Sequence, residues 1–208
     1  CLKVTLTDPL SSPLLSLSQT ETLLDGLLDF YPQAIRHNQA LLAQLRQTLP
    51  WSQDSVFLYG RTHRIPRLQC WIADPGVEYS YSGKQLINHP WPETLNRLRD
   101  ELNKAFGLQL NSVLCNLYRD GQDSMGWHSD DEPELGPDPG IISVTLGAER
   151  DFSLRLKGTT RQNSKLALPD GSLLYMKPGM QRRWEHAVPK RAGVSSARIN
   201  LTFREIIH

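Results

Sequence analysis

Residues 197–205 read Ala197-Arg198-Ile199-Asn200-Leu201-Thr202-Phe203-Arg204-Glu205 (ARINLTFRE). Apolar Ile199, Leu201 and Phe203 alternate with polar Arg198, Asn200, Thr202 and Arg204, the period of two that gives a β-strand two unlike faces. Two environments fit such a strand. Its polar face meets water, as in an ordinary half-buried sheet, or it turns inward and lines a barrel around a bound anion. Arginine suits the second, because its planar guanidinium grips a carboxylate through parallel hydrogen bonds. The same alternation in VLCNLYRD (113–120) puts Asn116 and Tyr118 on one face, an amide and a phenol able to orient a small polar ligand.

Working outward, the chain from residue 109 onward consists of short alternating segments: SVLCNLY, IISVTL, DFSLRLK, SLLYM, HAVPK and ARINLTF. Turn signals such as PDG at 169–171 and PG at 178–179 separate them, and this spacing predicts a β-sandwich or barrel. Two helices are predicted before it. The first has Asn38 as N-cap and an apolar stripe of Leu41, Leu42, Leu45 and Leu49 ending at Pro50. The second runs from Pro92 to Phe106, with Leu95, Leu98, Leu102 and Phe106 on one face and Gly107 as its stop. Residues 56–88, rich in aromatics and arginine, read as short strands and loops, and residues 1–20 as an irregular arm. The expected organisation is a single α+β domain: an N-terminal arm (1–36), a helical and strand-loop region (37–108) and a jelly-roll core (109–208).

Composition narrows the possible functions. Across 208 residues, 23 basic and 22 acidic side chains give a formal charge of +1, so any nucleic-acid binding must come from local basic patches. Cys1, Cys70 and Cys115 are odd in number and scattered, which fits neither a zinc knuckle nor a disulfide framework and points to a reducing, cytoplasmic setting. No apolar run reaches the ~18 residues of a membrane helix, and no signal peptide is expected at the N-terminus. The reading is therefore of a monomer without a membrane partner.

A second stretch, GWHSDDE (126–132), holds a histidine and three acids. An isolated acidic run is usually solvated surface. However, His128-x-Asp130 beside a strand lets imidazole and carboxylate point the same way, and His186 in QRRWEHAVPK is placed to supply a third ligand. Two histidines and one carboxylate on one side of an ion leave open positions, the facial arrangement of non-haem Fe(II) oxygenases. A zinc hydrolase uses a similar set but leaves the arginine pair without a purpose. A non-catalytic nucleic-acid-binding module with a structural metal is a further alternative.

Together, NLYRDGQDSMGWHSDDEPELG (116–136), WEHAVPK (184–190) and RINLTFR (198–204) resemble the AlkB family of Fe(II)- and 2-oxoglutarate-dependent dioxygenases, nearest its nucleic-acid-repair branch. PRLQCWIADPGVEYSYSG (66–83) extends the likeness in looser form. The resemblance implies a double-stranded β-helix (jelly-roll) core, with a nucleotide-recognition lid in 37–108. It implies Fe(II) held by His128, Asp130 and His186, and 2-oxoglutarate held by Arg198 and Arg204 with Asn116, Tyr118 and Asn200. O2 completes the set, and an N-methyl group on a base is oxidised, with release of formaldehyde, succinate and CO2. Tyr81 would stack on a flipped base, and Tyr79, Glu132, Trp71 and Arg67 would lie near it. The implied partner is alkylated DNA or RNA, gripped through Arg61, Arg64 and Arg67, Arg182 and Arg183, and Lys190 and Arg191; the same chemistry on RNA or on a protein is the alternative within this family. Such an enzyme needs access to the nucleoid or, in a eukaryote, the nucleus.

Overall fold

A computed structural model describes residues 8–58, 60–81 and 84–207. In chain order the strands are β1 (Glu21–Leu23), β2 (Leu28–Tyr31), β3 (Ser55–Leu58), β4 (Arg61–Arg64), β5 (Leu68–Ala73), β6 (Ser80–Tyr81), β7 (Lys84–Gln85) and β8 (Asn88–His89). The remainder are β9 (Ser112–Tyr118), β10 (Met125–His128), β11 (Ile141–Gly147), β12 (Arg150–Leu156), β13 (Ser164–Leu168), β14 (Leu173–Met176), β15 (Trp184–Val188) and β16 (Arg198–Arg204). Helices α1 (Asn38–Thr48) and α2 (Glu93–Phe106) precede the C-terminal strands, and one turn, α3 (Met180–Arg183), interrupts them.

Eight strands form a major sheet in the order β1-β2-β14-β11-β16-β9-β5-β8, and four form a minor sheet, β10-β15-β12-β13. Hairpins β3–β4 and β6–β7 stand apart from both. This is the expected α+β jelly roll. The major sheet draws on all three predicted segments, 1–36, 37–108 and 109–208.

Period-two alternation sorts the major sheet's side chains into two environments. Outward-facing Val113, Cys115 and Leu117 of β9, Ile142, Val144 and Leu146 of β11, and Ile199, Leu201 and Phe203 of β16 pack with Leu41 and Leu45 of α1 and Leu95, Leu98 and Leu102 of α2. A second apolar cluster joins Leu28, Phe30, Leu174 and Met176 to Phe152 and Leu154 of the minor sheet. The inward positions of β16 are all polar, those of β9 are Ser112, Leu114, Asn116 and Tyr118, and all seven residues of β16 are buried.

The helices follow the predicted stripes, with corrections at their starts. His37, not Asn38, occupies the N-cap of α1, in the left-handed region at φ 55° and without a side-chain capping bond. Pro92 is the N-cap of α2 rather than its first turn, and Glu93 places a negative charge where the helix dipole favours one. Gly107 stops α2 as expected, at φ 66° with its N–H donating to Asn103 O. No helix among the described residues is long and apolar enough to cross a membrane.

The N-terminal segment departs most from expectation. Strand β2 pairs antiparallel with β14 from Leu28↔Met176 to Tyr31↔Leu173, so part of residues 1–36 belongs to the main sheet. Even before it, Leu14 is fully buried. Truncating a buried leucine removes its transfer energy and leaves a cavity, costing ~2–5 kcal/mol. Leu28→Ala should show that loss in urea unfolding followed by circular dichroism, whereas Leu17→Ala, at a position 38% exposed, should stay within about 0.5 kcal/mol of the unaltered chain.

Candidate metal centre and cofactor pocket

His128 and His186 are opposite each other across β10 and β15, with ring centroids 4.2 Å apart. Asp130 lies two residues beyond the end of β10 and is 1% exposed. Its carboxylate lies 3.9 Å from His128 Nε2 and 3.6 Å from His186 Nε2, and one ligand atom from each of the three residues falls within a 4.8 Å span. The strands thus bring together the three residues that the sequence pattern singled out.

Each member of this cluster is held. His128 Nδ1 lies 2.9 Å from Gly126 O, and the tautomer that donates there leaves Nε2 free to bind an ion. His186 stacks on Phe152 at 5.0 Å, and burial, with the nearby His128, pushes its imidazole down to about 3. It is therefore neutral at physiological pH, the form that coordinates metals. Burial alone would raise the Asp130 carboxyl. The charge of Arg204, with His186 and His128, outweighs it and holds the group well below the usual carboxylate range. Arg204 Nη2 donates to Asp130 Oδ1 at 2.5 Å, and the Asp130 N–H donates to Gln181 Oε1 at 2.9 Å.

A pocket opens from this cluster between the two sheets, lined on the major-sheet side by Asn116, Tyr118, Arg198, Asn200, Thr202 and Arg204. The polar face of β16 therefore looks inward. Asn200 Nδ2 donates to Ser143 Oγ at 2.7 Å and to Val144 O at 3.1 Å, and Thr202 Oγ1 donates to Asn200 Oδ1 at 2.9 Å. Arg198 differs from its neighbours. Its Nη2 donates to Thr145 Oγ1 at 2.8 Å, while Nε and Nη1 are buried without a partner among the described residues. Burial pushes this guanidinium down to about 10. A buried guanidinium with two unused donors has the hydrogen-bonding capacity that a carboxylate accepts.

The donor set fits the iron and 2-oxoglutarate of the resemblance: two imidazoles and a carboxylate at one end, and an arginine with unused donors at the other. A scan of family models matches the 2OG-Fe(II) oxygenase superfamily over residues 22–204. The chain belongs to that superfamily. Human alpha-ketoglutarate-dependent dioxygenase alkB homolog 3 is 37% identical over 187 residues, covering 85% of this chain and 65% of that protein. Mouse DNA oxidative demethylase ALKBH2 is 42% identical over 159 residues, covering 73% and 66%. The chain thus spans about two thirds of the length of these curated relatives, which place it in the AlkB family of the oxygenases. A solved structure titled "The structure of OsALKBH1" shares the fold with a TM-score of 0.64 at 16% identity, covering 90% of this chain and all of that one.

The residues expected near a substrate separate into distinct groups. Tyr79 and Glu132 adjoin Arg204, whose guanidinium lies 6.0 Å from the Tyr79 ring. Burial raises the Glu132 carboxyl, partly against the opposing charge of Arg204. The side chain of Tyr81 lies outside the described residues. Trp71 is 3% exposed and packs on Tyr79 at 5.8 Å, so it buttresses that ring and does not line the pocket at the metal cluster. Arg67 requires correction. It is 4% exposed, with Nε donating to Asn116 Oδ1 at 2.9 Å, and so is no surface grip for phosphate. That bond leaves the Asn116 Nδ2 donor to face the pocket. Asp131 pairs with Lys157 at 2.6 Å and Ser129 donates to Trp184 O, which keeps both away from the cluster.

Sequence reading missed Ser143, Thr145 and Gln181. The first two are the inward positions of β11, and the alternation in IISVTL was the signal for them. Gln181 sits on α3 and carries no such signal. Loss of a group that orients a metal ligand typically weakens binding 10–100-fold. Gln181→Ala should therefore weaken Mn(II) binding by roughly that factor in a titration followed by electron paramagnetic resonance. His128→Ala should weaken it further.

Proposed function

We propose that the chain is an Fe(II)- and 2-oxoglutarate-dependent oxidative dealkylase that repairs N-methylated bases, such as 1-methyladenine and 3-methylcytosine, in DNA, with RNA as the alternative substrate. One observation carries this reading: a three-residue ligand cluster and a buried arginine with unused donors face the same pocket. A structural metal would have no need of that arginine. The names of the relatives, a DNA oxidative demethylase and alpha-ketoglutarate-dependent dioxygenases, support the chemistry and the substrate class.

In this proposal His128, Asp130 and His186 hold the iron. Arg198 pairs with the distal carboxylate of 2-oxoglutarate, and Arg204, already beside Asp130, steadies the end nearest the metal. Asn116, Tyr118 and Asn200 complete the cradle. The chemistry this set supplies when bound is oxidation of a C–H bond coupled to conversion of 2-oxoglutarate and O2 into succinate and CO2. Oxidation of the N-methyl carbon gives an N-hydroxymethyl group, which loses formaldehyde and restores the base.

The protein's own contribution is placement and exclusion. The metal cluster sits between two sheets with His186 and Asp130 buried, which keeps water from two of the three ligands. A base must leave its stack to reach this depth, and Tyr81, Tyr79 and Glu132 are the residues proposed to receive it. Arg61 and Arg64 on the exposed β4, together with Arg183 and Lys190, are proposed to meet backbone phosphates. With a net charge of +1, affinity for nucleic acid should be modest and salt-sensitive.

Anaerobically purified protein, supplied with Fe(II), ascorbate and 2-oxoglutarate and then with O2, is expected to demethylate 1-methyladenine or 3-methylcytosine in single-stranded DNA. Formaldehyde and succinate should appear in equal amounts, and His128→Ala should bring both to background. Matched DNA and RNA oligonucleotides, single- and double-stranded, rank the substrates. If neither product rises above the His128→Ala level on any of them, the repair reading fails. Binding without turnover would then favour a nucleic-acid-binding module.

A further inference from the structure

Arg150, the first residue of β12, is 1% exposed yet lies outside the cofactor set named above. Its guanidinium donates to three backbone carbonyls. Nη1 reaches Asp120 O at 3.2 Å, and Nη2 reaches Asp123 O at 2.8 Å and Pro189 O at 2.6 Å. The first two belong to the β9–β10 loop and the third to the β15–β16 loop, so one side chain ties both together. The loops are closely packed here: a Cβ added at Gly121 would come within 1.9 Å of Arg191 O.

The same guanidinium lies 5.5 Å from the Tyr118 ring centroid, and that of Arg198 lies 5.1 Å from it. The ring of one pocket-lining residue thus contacts two buried cations. Arg198 is opposite Tyr118 in the β9–β16 register, so this ring sets the position of the arginine with unused donors. Asp123, the nearby buried acid, is engaged by Arg119, with Nε to Oδ2 and Nη2 to Oδ1 both at 2.8 Å. Arg150 Nε is itself without a partner among the described residues. This end of the pocket consequently has surplus positive charge in a low-dielectric setting, where a nearby cation acts on a bound anion more strongly than in water.

We propose that Arg150 is a positioning residue for the distal carboxylate of the co-substrate: it fixes Tyr118 and the two loops, and adds a second positive charge behind Arg198. This rests on the 2-oxoglutarate reading above. It assigns to Arg150 selectivity for a dicarboxylate over a keto acid that lacks the second carboxylate.

The test is isothermal titration calorimetry on the full chain loaded with Ni(II), using 2-oxoglutarate and, separately, pyruvate, which has only the chelating end. Arg150→Met is expected to raise the Kd for 2-oxoglutarate about tenfold or more, the scale of losing one nearby charge and its fixed geometry. Pyruvate binding and Ni(II) affinity should stay within about twofold. Arg150→Lys, which keeps the charge but lacks the planar fork that spans the two loops, should fall between and serves if the methionine variant does not fold. A merely structural role would weaken both ligands alike, and that result overturns the proposal. So does unchanged 2-oxoglutarate affinity in a folded variant. If the unaltered chain fails to bind 2-oxoglutarate, the co-substrate reading fails, and this assignment with it.

Discussion

The architecture depends on β16 being buried on both faces. A half-buried strand can leave its polar side to water, but here Arg198, Asn200, Thr202 and Arg204 must find partners inside. Each buried polar group left unmatched costs ~1–3 kcal/mol. The surrounding strands supply part of what is required, leaving Arg198 Nε and Nη1 without a partner among the described residues. Ser143 and Thr145 come from β11, Asn116 and Tyr118 from β9, and Asp130 from the chain beside β10. The apolar face of the same strand is the floor on which α1 and α2 rest. One seven-residue segment therefore sets both the outer core and the interior pocket.

Charge balance then limits what the pocket can receive. Asp130 and Arg204 neutralise each other at 2.5 Å, and His186 is neutral. Arg198 is left over, its cation disfavoured by burial, and Arg150 on the same Tyr118 ring adds to the excess. A divalent metal added alone would worsen the excess, and a dianion added alone would lack a partner at the ligand cluster. A divalent ion and a dicarboxylate together add no net charge. Electrostatics thus favours joint occupancy, a stronger constraint than the three-ligand cluster provides by itself.

These features were unequally legible in the sequence. The two faces of β16 and β9 could be read because these two strands pair over seven residues without a register shift, so their side chains alternate throughout. The metal cluster needed the family likeness as well, because β10 and β15 are joined by pairing that local sequence does not encode. Strands β1 and β2 escaped notice for a local reason. Leu24 and Asp25 adopt left-handed backbone, φ 53° and 54°, before Gly26 at φ 91°; Asp25-Gly26 is a turn signal, but a leucine rarely opens such a turn, so the signal stood alone in an apolar stretch. ETLLDGLLDFY reads as an apolar run without a clear period. Arg67 misled in a different way. Three arginines at spacing three look like a surface patch, but Arg67 immediately precedes β5, whose pairing with β9 brings its side chain into the interior against Asn116.

The two ends of the site belong to different sheets. The histidines stand on β10 and β15 of the minor sheet, while the proposed cofactor donors stand on β9 and β16 of the major sheet. The distance from metal to cradle is thus set by how the sheets pack, not by either sheet alone. Two features fix it. Arg204 on β16 bonds to Asp130 directly across the gap. Phe152 stacks on His186 while belonging to the apolar cluster that includes Leu174 and Met176 of the major sheet. Cores packed to crystal-like density transmit small displacements rather than absorbing them. Residues of this cluster that touch no ligand therefore share control of the metal geometry, and β2, through Leu28 and Phe30, extends that control to the N-terminal segment.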